Sequence, residues 1–164
     1  MGAMRVNRFS RVIWLVIAVV VFAGDQVTKA VVEDLIPEHT TIPVFSHFFN
    51  LIHTENPGAV FGLFSDWPAP WRAALLIVVS SVLLLAMVMA VIWHRQQLRW
   101  GMGVGLALIL GGALSNLFDR IRLGRVVDFL DVYYRSYHWP TFNLADSAID
   151  LGAGLLVLQL LFGE

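Results

Sequence analysis

The sequence predicts an all-α membrane protein: four transmembrane helices with a small β-sheet resting on one mouth of the bundle. Three observations lead there. Of 164 residues, 58% are hydrophobic and 14% charged, against about 45–50% and about 25% in soluble domains. Four apolar stretches approach the roughly 20 residues that a bilayer core requires. The polar residues within or beside those stretches gather at one set of helix ends. The length fits a single polytopic domain over residues 1–164 better than two domains. A formal net charge of −1 offers no electrostatic basis for binding nucleic acid. The absence of cysteine excludes disulfides, a thiol nucleophile and thiolate-ligated metal, and leaves no cysteine to receive a lipid.

The first span is expected at about 12–32. Arg5, Arg8 and Arg11 ahead of the apolar run 12–23 resemble a signal peptide. The apolar character resumes after Asp25 and Lys29 through Val32, however, so the segment is long enough to span and is expected to stay uncleaved. Met1-Gly2-Ala3 reads as an extension before a second Met, and Val6 breaks the myristoylation pattern. In the first loop, residues 40–52 are rich in β-branched and aromatic side chains and read as a strand. Pro43 marks an edge or a bulge in it. Asn56-Pro57-Gly58 then reads as a turn, in which Gly58 permits a close approach or an unusual torsion and Asn56 offers both donor and acceptor.

The second span, about 73–93, is free of charge and bounded by Trp71 and Trp93, which suit the two interfaces. Its Leu and Val side chains read as lipid-facing. The third, about 101–118, carries Gly103, Ala107, Gly111 and Ser115 at a spacing of four, a stripe of small residues that lets another helix come close. Gly112, Asn116 and Arg120 form an adjacent stripe that turns polar toward the C-terminal end. Residues 125–134 are the second strand candidate, and the fourth span is expected at about 146–162. Both strand candidates lie in odd-numbered loops, so they emerge on the same side of the membrane.

Orientation follows from the basic residues near helix ends. Arg5, Arg8, Arg11, Arg95 and Arg99 lie on one side; Lys29, Arg72, Arg120, Arg122, Arg125 and Arg135 lie on the other. The totals nearly balance, but the first helix usually dominates, and its flanks read three against one. Both termini are therefore expected in the cytoplasm. In an up-and-down bundle, Asp25, Lys29, Arg72, Asn116, Asp119, Arg120 and Asp146 all fall at the opposite mouth, and the chemistry is expected there.

Carboxylates at the edge of lipid are costly to keep ionised, so they have a tight partner or a task. Asp128 and Asp146 flank the entry to the last span. Two such groups favour shared-proton chemistry, with one acting as acid and the other as base. Asp150, one helical turn beyond Asp146, is an alternative partner. Asp131, three residues after Asp128 on a strand, is assigned to solvent. Asp25 and Lys29 share a helical face as an ion pair or as a contact to a head group or peptide backbone, and Asp119 reads as part of a structural charge pairing. The five histidines lack His-Glu-x-x-His spacing, and Ser80 and Ser81 have no neighbouring base.

Five blocks now stand in order: Asp25-Gln26-Val27-Thr28-Lys29, Asn56-Pro57-Gly58-Ala59-Val60-Phe61, residues 111–120 ending Ser115-Asn116-Leu117-Phe118-Asp119-Arg120, Val126-Val127-Asp128-Phe129, and Phe142-Asn143-Leu144-Ala145-Asp146-Ser147. The sequence resembles bacterial lipoprotein signal peptidase, signal peptidase II, from about Asp25 to Gly154. The resemblance implies an aspartyl endopeptidase of the inner membrane that removes signal peptides from prolipoproteins before a diacylglyceryl-modified cysteine. It implies Asp128 and Asp146 as the dyad, with Asn116, Arg120 and Asn143 holding substrate or dyad and Asn56 and Gly58 near the bound peptide. Asp25 and Lys29 would stabilise the outer end of the first helix. It further implies a small extracytoplasmic sheet with a short helix. Lipid bilayer and prolipoprotein are the expected partners, with no cofactor or metal, and a monomer is expected. The sequence departs from the family pattern at Val60, where Ala is frequent, and at the acidic Asp150. A small proton-coupled carrier or channel subunit is the alternative. It calls for acids or broken helices near midplane, which only Asp150 approaches.

Overall fold

The computed structural model describes residues 8–58, 68–94 and 98–162. Met1-Gly2-Ala3, Arg5, Ala59-Val60-Phe61 and Arg95 lie outside the described residues. Among the described residues, four helices are long and apolar enough to cross a membrane: α1 (Arg8–Leu35), α2 (Ala69–His94), α3 (Trp100–Leu123) and α4 (Leu144–Phe162). Each extends beyond its apolar run. The sharpest case is α3, which continues through Asp119, Arg120 and Arg122 because their polar partners await them at the bundle mouth. It stops at Gly124, whose φ of 73° is the left-handed torsion that glycine adopts without a Cβ penalty. The Gly124 N–H closes the helix onto the Arg120 carbonyl at 3.0 Å.

The packing centres on α3, which lies against both α1 and α4. Its two small-residue stripes serve different neighbours. A Cβ on Gly103 would strike the Trp14 ring and one on Gly111 the Ala18 carbonyl, both on α1, whereas a Cβ on Gly112 would strike the Ala145 carbonyl on α4. Without a hydrophobic force between helices in lipid, backbone proximity of this kind supplies the packing. By contrast, α2 buries only Leu76 and Leu84, in keeping with a helix that mostly faces lipid.

Beyond the helix ends, β1 (Thr41–Phe45), β2 (Phe49–Asn56), β3 (Val126–Tyr134) and β4 (Tyr137–His138) form one antiparallel sheet in the order β1-β2-β3-β4. The single strand expected at 40–52 is thus a hairpin. Ser46-His47-Phe48 turns the chain without Gly or Pro, placing His47 at φ 70°. Pro43 sits on the edge strand, where the register shifts between Pro43 and Phe45. The short helix implied by resemblance is not among the described elements. The top of α1 joins the sheet through a buried cluster of Val32, Ile36, Val127 and Phe129.

Asp131 corrects an expectation. It is buried, with Asn50 Nδ2 donating to it at 2.7 Å and His138 Nδ1 at 2.8 Å. Strand alternation does separate it from Asp128, but β4 folds back, stacks His138 on Tyr133 and covers that face.

Candidate active site

The site begins with the end of α1. Asp25 and Lys29 lie one turn apart and pair at 2.7 Å, both buried. Lys29 Nζ also reaches Asp119 on α3 at 2.6 Å and donates to Asn116 Oδ1 at 2.9 Å. Asp119 therefore pairs with Lys29, and Arg120, next to it in sequence, projects elsewhere. Asp25 accepts from Ser115 Oγ at 2.7 Å and from the Ala145 backbone N–H at 2.9 Å. Of the two readings of Asp25, the structure shows the ion pair within a buried polar cluster, its backbone contact being to its own α4. Gln26 completes the cluster by donating to Ser115 Oγ and Asp119 Oδ1 at 2.8 and 2.7 Å. Sequence reasoning gave Gln26 no role and treated Ser115 only as a small residue. A polar side chain inside the small-residue stripe was the available signal.

Three asparagines reach the two carboxyls, and this cluster positions the first of them. Asn116 has its Oδ1 occupied by Lys29, which turns Nδ2 toward Asp146 Oδ1 at 2.7 Å. Asn143 caps α4: its Oδ1 accepts the Asp146 N–H at 2.8 Å, and Asp146 Oδ2 accepts the Asn143 N–H at 3.2 Å. That is a reciprocal capping arrangement with Asp in the third helical position. With its oxygen committed, Asn143 Nδ2 donates to Asp128 Oδ1 at 2.7 Å. At the end of β2, Asn56 Oδ1 accepts the Gly58 N–H at 3.0 Å, which leaves Nδ2 to donate to Asp128 Oδ2 at 3.0 Å. Each amide is oriented by what its oxygen accepts.

Asp128 and Asp146 thereby each receive two donors and share Asn143 between them. Sequence left open whether Asp146 pairs with Asp128 or with Asp150; only the first two are linked through a common hydrogen-bond partner. Burial pushes the Asp128 carboxyl up from 3.8 to about 7, with the nearby Asp146 charge acting in the same direction. The Asn56 and Asn143 bonds and the more distant Lys29 oppose the shift.

Both carboxyl groups line a cavity of about 370 Å³, together with Asn56, Asn116 and Arg120. Trp139, Pro140, Thr141, Phe142, Val126 and Ile149 supply most of its apolar wall, and Asp150 lines it as well. The segment after β4 is held over the cavity by Phe142, whose backbone bridges Leu130. These wall residues were not singled out from sequence, because neither β4 nor the bridge leaves a periodic signal. Arg120 donates to the Asn116 carbonyl at 3.3 Å, and its buried Nε has no partner. The histidines lie elsewhere: His53 Nδ1 bonds the Ile36 carbonyl and His138 bonds Asp131. Among the described residues, no group of three or more His, Asp or Glu side chains converges as a metal ion requires.

A family model described as Signal peptidase (SPase) II matches residues 17–162. The chain belongs to the signal peptidase II family. It is an aspartic peptidase and a multi-pass protein of the bacterial inner membrane. The lipoprotein signal peptidase of Solibacter usitatus is 44% identical over 145 residues, covering 88% of each chain. That of Syntrophotalea carbinolica is 42% identical over 149 residues, covering 89% of each. Among solved structures, a bacterial membrane enzyme determined by the in meso method at 2.3 Å superposes with a TM-score of 0.81 at 29% identity, covering 98% of this chain and 93% of that one. A second, at 1.9 Å, gives 0.79 at 28% identity with full coverage of both. The four-helix frame and its sheet are therefore those of solved membrane enzymes.

Proposed function

We propose that the chain removes the signal peptide from diacylglyceryl-modified prolipoproteins, cutting before the lipid-bearing cysteine with Asp128 and Asp146 as the catalytic dyad. The observation that carries this reading is Asn143, whose side chain donates to the Asp128 carboxyl and whose backbone N–H donates to the Asp146 carboxyl, with both carboxyls at the wall of one cavity. Two carboxyls held this way favour sharing one proton, since like charges in a buried site resist double ionisation.

The ionised member takes a proton from a water between the pair, and the water oxygen attacks the scissile carbonyl carbon. The protonated member donates to the carbonyl oxygen, giving a neutral tetrahedral diol. Collapse returns a proton to the departing cysteine nitrogen and breaks the C–N bond, with no cofactor or metal taking part. Asn56, Asn116 and Asn143 hold the dyad, and Gly58 sets the Asn56 amide. Arg120, with an unsatisfied Nε at the cavity wall, is placed to hold a substrate carbonyl. Asp25, Lys29 and Asp119 fix the helix ends beneath. Prolipoprotein and lipid are the partners of a single polytopic domain working as a monomer, with both termini cytoplasmic. The cavity then opens on the extracytoplasmic side, where the diacyl chains and the signal segment remain in lipid while the backbone meets the dyad.

The test is cleavage of a diacylglyceryl-modified prolipoprotein by purified protein. Asp128→Asn and Asp146→Asn are expected to be folded and inactive, and Asp150→Asn still to cut. Loss of cleavage in Asp150→Asn with retention in Asp128→Asn overturns the pairing. If the parent protein never cuts, the peptidase reading falls and proton flux becomes the assay.

A further inference from the structure

Asp150 has no hydrogen bond or ion pair among the described residues, yet it lines the same cavity as Asp128 and Asp146. It is an exposed residue on α4, four residues beyond Asp146 and about 6 Å further along the helix axis from the N-terminal end of that span. A bare carboxyl group on a membrane-spanning helix is costly, and such groups mark substrate or ion paths by default. The cluster of Lys29, Asp25 and Asp119 does not extend to it. Its surroundings in the cavity include the apolar Ile149, Val126 and Trp139. What Asp150 lacks in the protein is a hydrogen-bond donor, and the cavity is where one arrives.

We propose that Asp150 is a specificity-determining residue that accepts a hydrogen bond from a hydroxyl side chain of the signal segment. The inference rests on the peptidase reading above. A peptide bound in extended form rises about 3.3 Å per residue, and its signal segment leaves the dyad toward the membrane interior. Asp150 therefore meets the substrate about two residues before the scissile bond. Serine or threonine there satisfies the carboxyl group, whereas an alanine leaves it unpartnered. A hydrogen bond to a charged acceptor contributes about 1.5–3 kcal/mol, so the analogue lacking the hydroxyl is disfavoured by about tenfold or more.

The experiment compares two diacylglyceryl-modified prolipoprotein substrates that differ only in Ser or Ala at that position. The readout is the ratio of their kcat/KM values, which does not depend on the fraction of enzyme that is folded. The parent is expected to prefer Ser by about tenfold, mostly through KM. Asp150→Leu should bring the ratio close to one, and Asp150→Asn, which can still accept a hydrogen bond, should keep most of it. A parent that cuts both substrates equally, or an Asp150→Leu protein that keeps the preference, overturns the proposal with the active site intact. A parent that cuts neither overturns the peptidase reading and this inference with it.

Discussion

The Asp128 carboxyl is the residue on which opposing effects meet. Burial and the Asp146 charge raise it to about 7 while two amide donors pull the other way, so near neutral pH it readily keeps a proton. In the unfolded chain the same group ionises near 3.8. As pH rises from about 4 to about 7 the unfolded state therefore binds fewer protons than the native one, and stability falls across that window. At about 1.4 kcal/mol per unit the loss is a few kcal/mol. Thermal melting in detergent should show the decline, and it should flatten in Asp128→Asn. The proposed mechanism needs the shared proton, so kcat/KM is expected to drop as pH passes above about 7, read as the alkaline limb of a pH–rate profile. Asn143 has the widest reach of any single side chain in the site. Asn143→Ala removes the cap of α4, costing about 1 kcal/mol of stability, and on the proposed mechanism cuts kcat by about a hundredfold by taking one of its two donors from the Asp128 carboxyl and loosening the turn that presents Asp146. Equal rates for Asn143→Ala and parent would show that the amide is not needed to hold them.

Among the elements, α3 carries the geometry. Gly112 lets α4 approach until Asn116 reaches Asp146, and a Cβ there meets the Ala145 carbonyl. Gly112→Val should push the helices apart and abolish cleavage while the sheet, which packs on α1, stays intact. Circular dichroism alongside the activity assay separates the two effects. Lys29→Met should be worse for the fold than for any single contact, because it leaves Asp25 and Asp119 buried without a counter-charge, at about 3–5 kcal/mol. A lowered melting temperature measures it. Much of this element-level design was legible. Spacing of four along α3 announced a close helical neighbour, since helical geometry is local; that the Gly112 stripe seats a second one was not read. Which neighbour each stripe serves was not legible, because it depends on helices far away in sequence. The hairpin in the first loop was missed for a related reason: Ser46-His47-Phe48 contains none of the usual turn residues, so alternation read straight through it. Asp131 was misassigned because the two-residue β4 that covers it is too short to leave a pattern. The open pairing of Asp146 could not be read from α4 alone, since Asn143 and β3, which supply the hydrogen bonds linking Asp146 to Asp128, lie outside it.

For the molecule as a whole, the proposed orientation predicts that reporter fusions at either terminus are active in the cytoplasm, and that a fusion within loop 1 is active only outside. The reverse pattern would invert the bundle and place the cavity on the wrong side for exported substrates. The concentration of polar residues at one mouth was readable from sequence because it follows from hydropathy and connectivity alone. One bond sets a condition on how the protein comes into being. The Ala145 N–H meets Asp25 across 120 residues of chain, so α1 enters the membrane carrying an acid that has Lys29 beside it but whose partners Ser115 and Ala145 have not yet been synthesised. Asn116 and Asp119 arrive with α3, and Asp128 follows. Asn143 and Asp146 leave the ribosome last. A nascent chain or truncated product with three helices holds one aspartate of the proposed dyad and lacks the asparagine that aligns it. On that dyad, proteolytic competence is acquired only after the fourth helix is made.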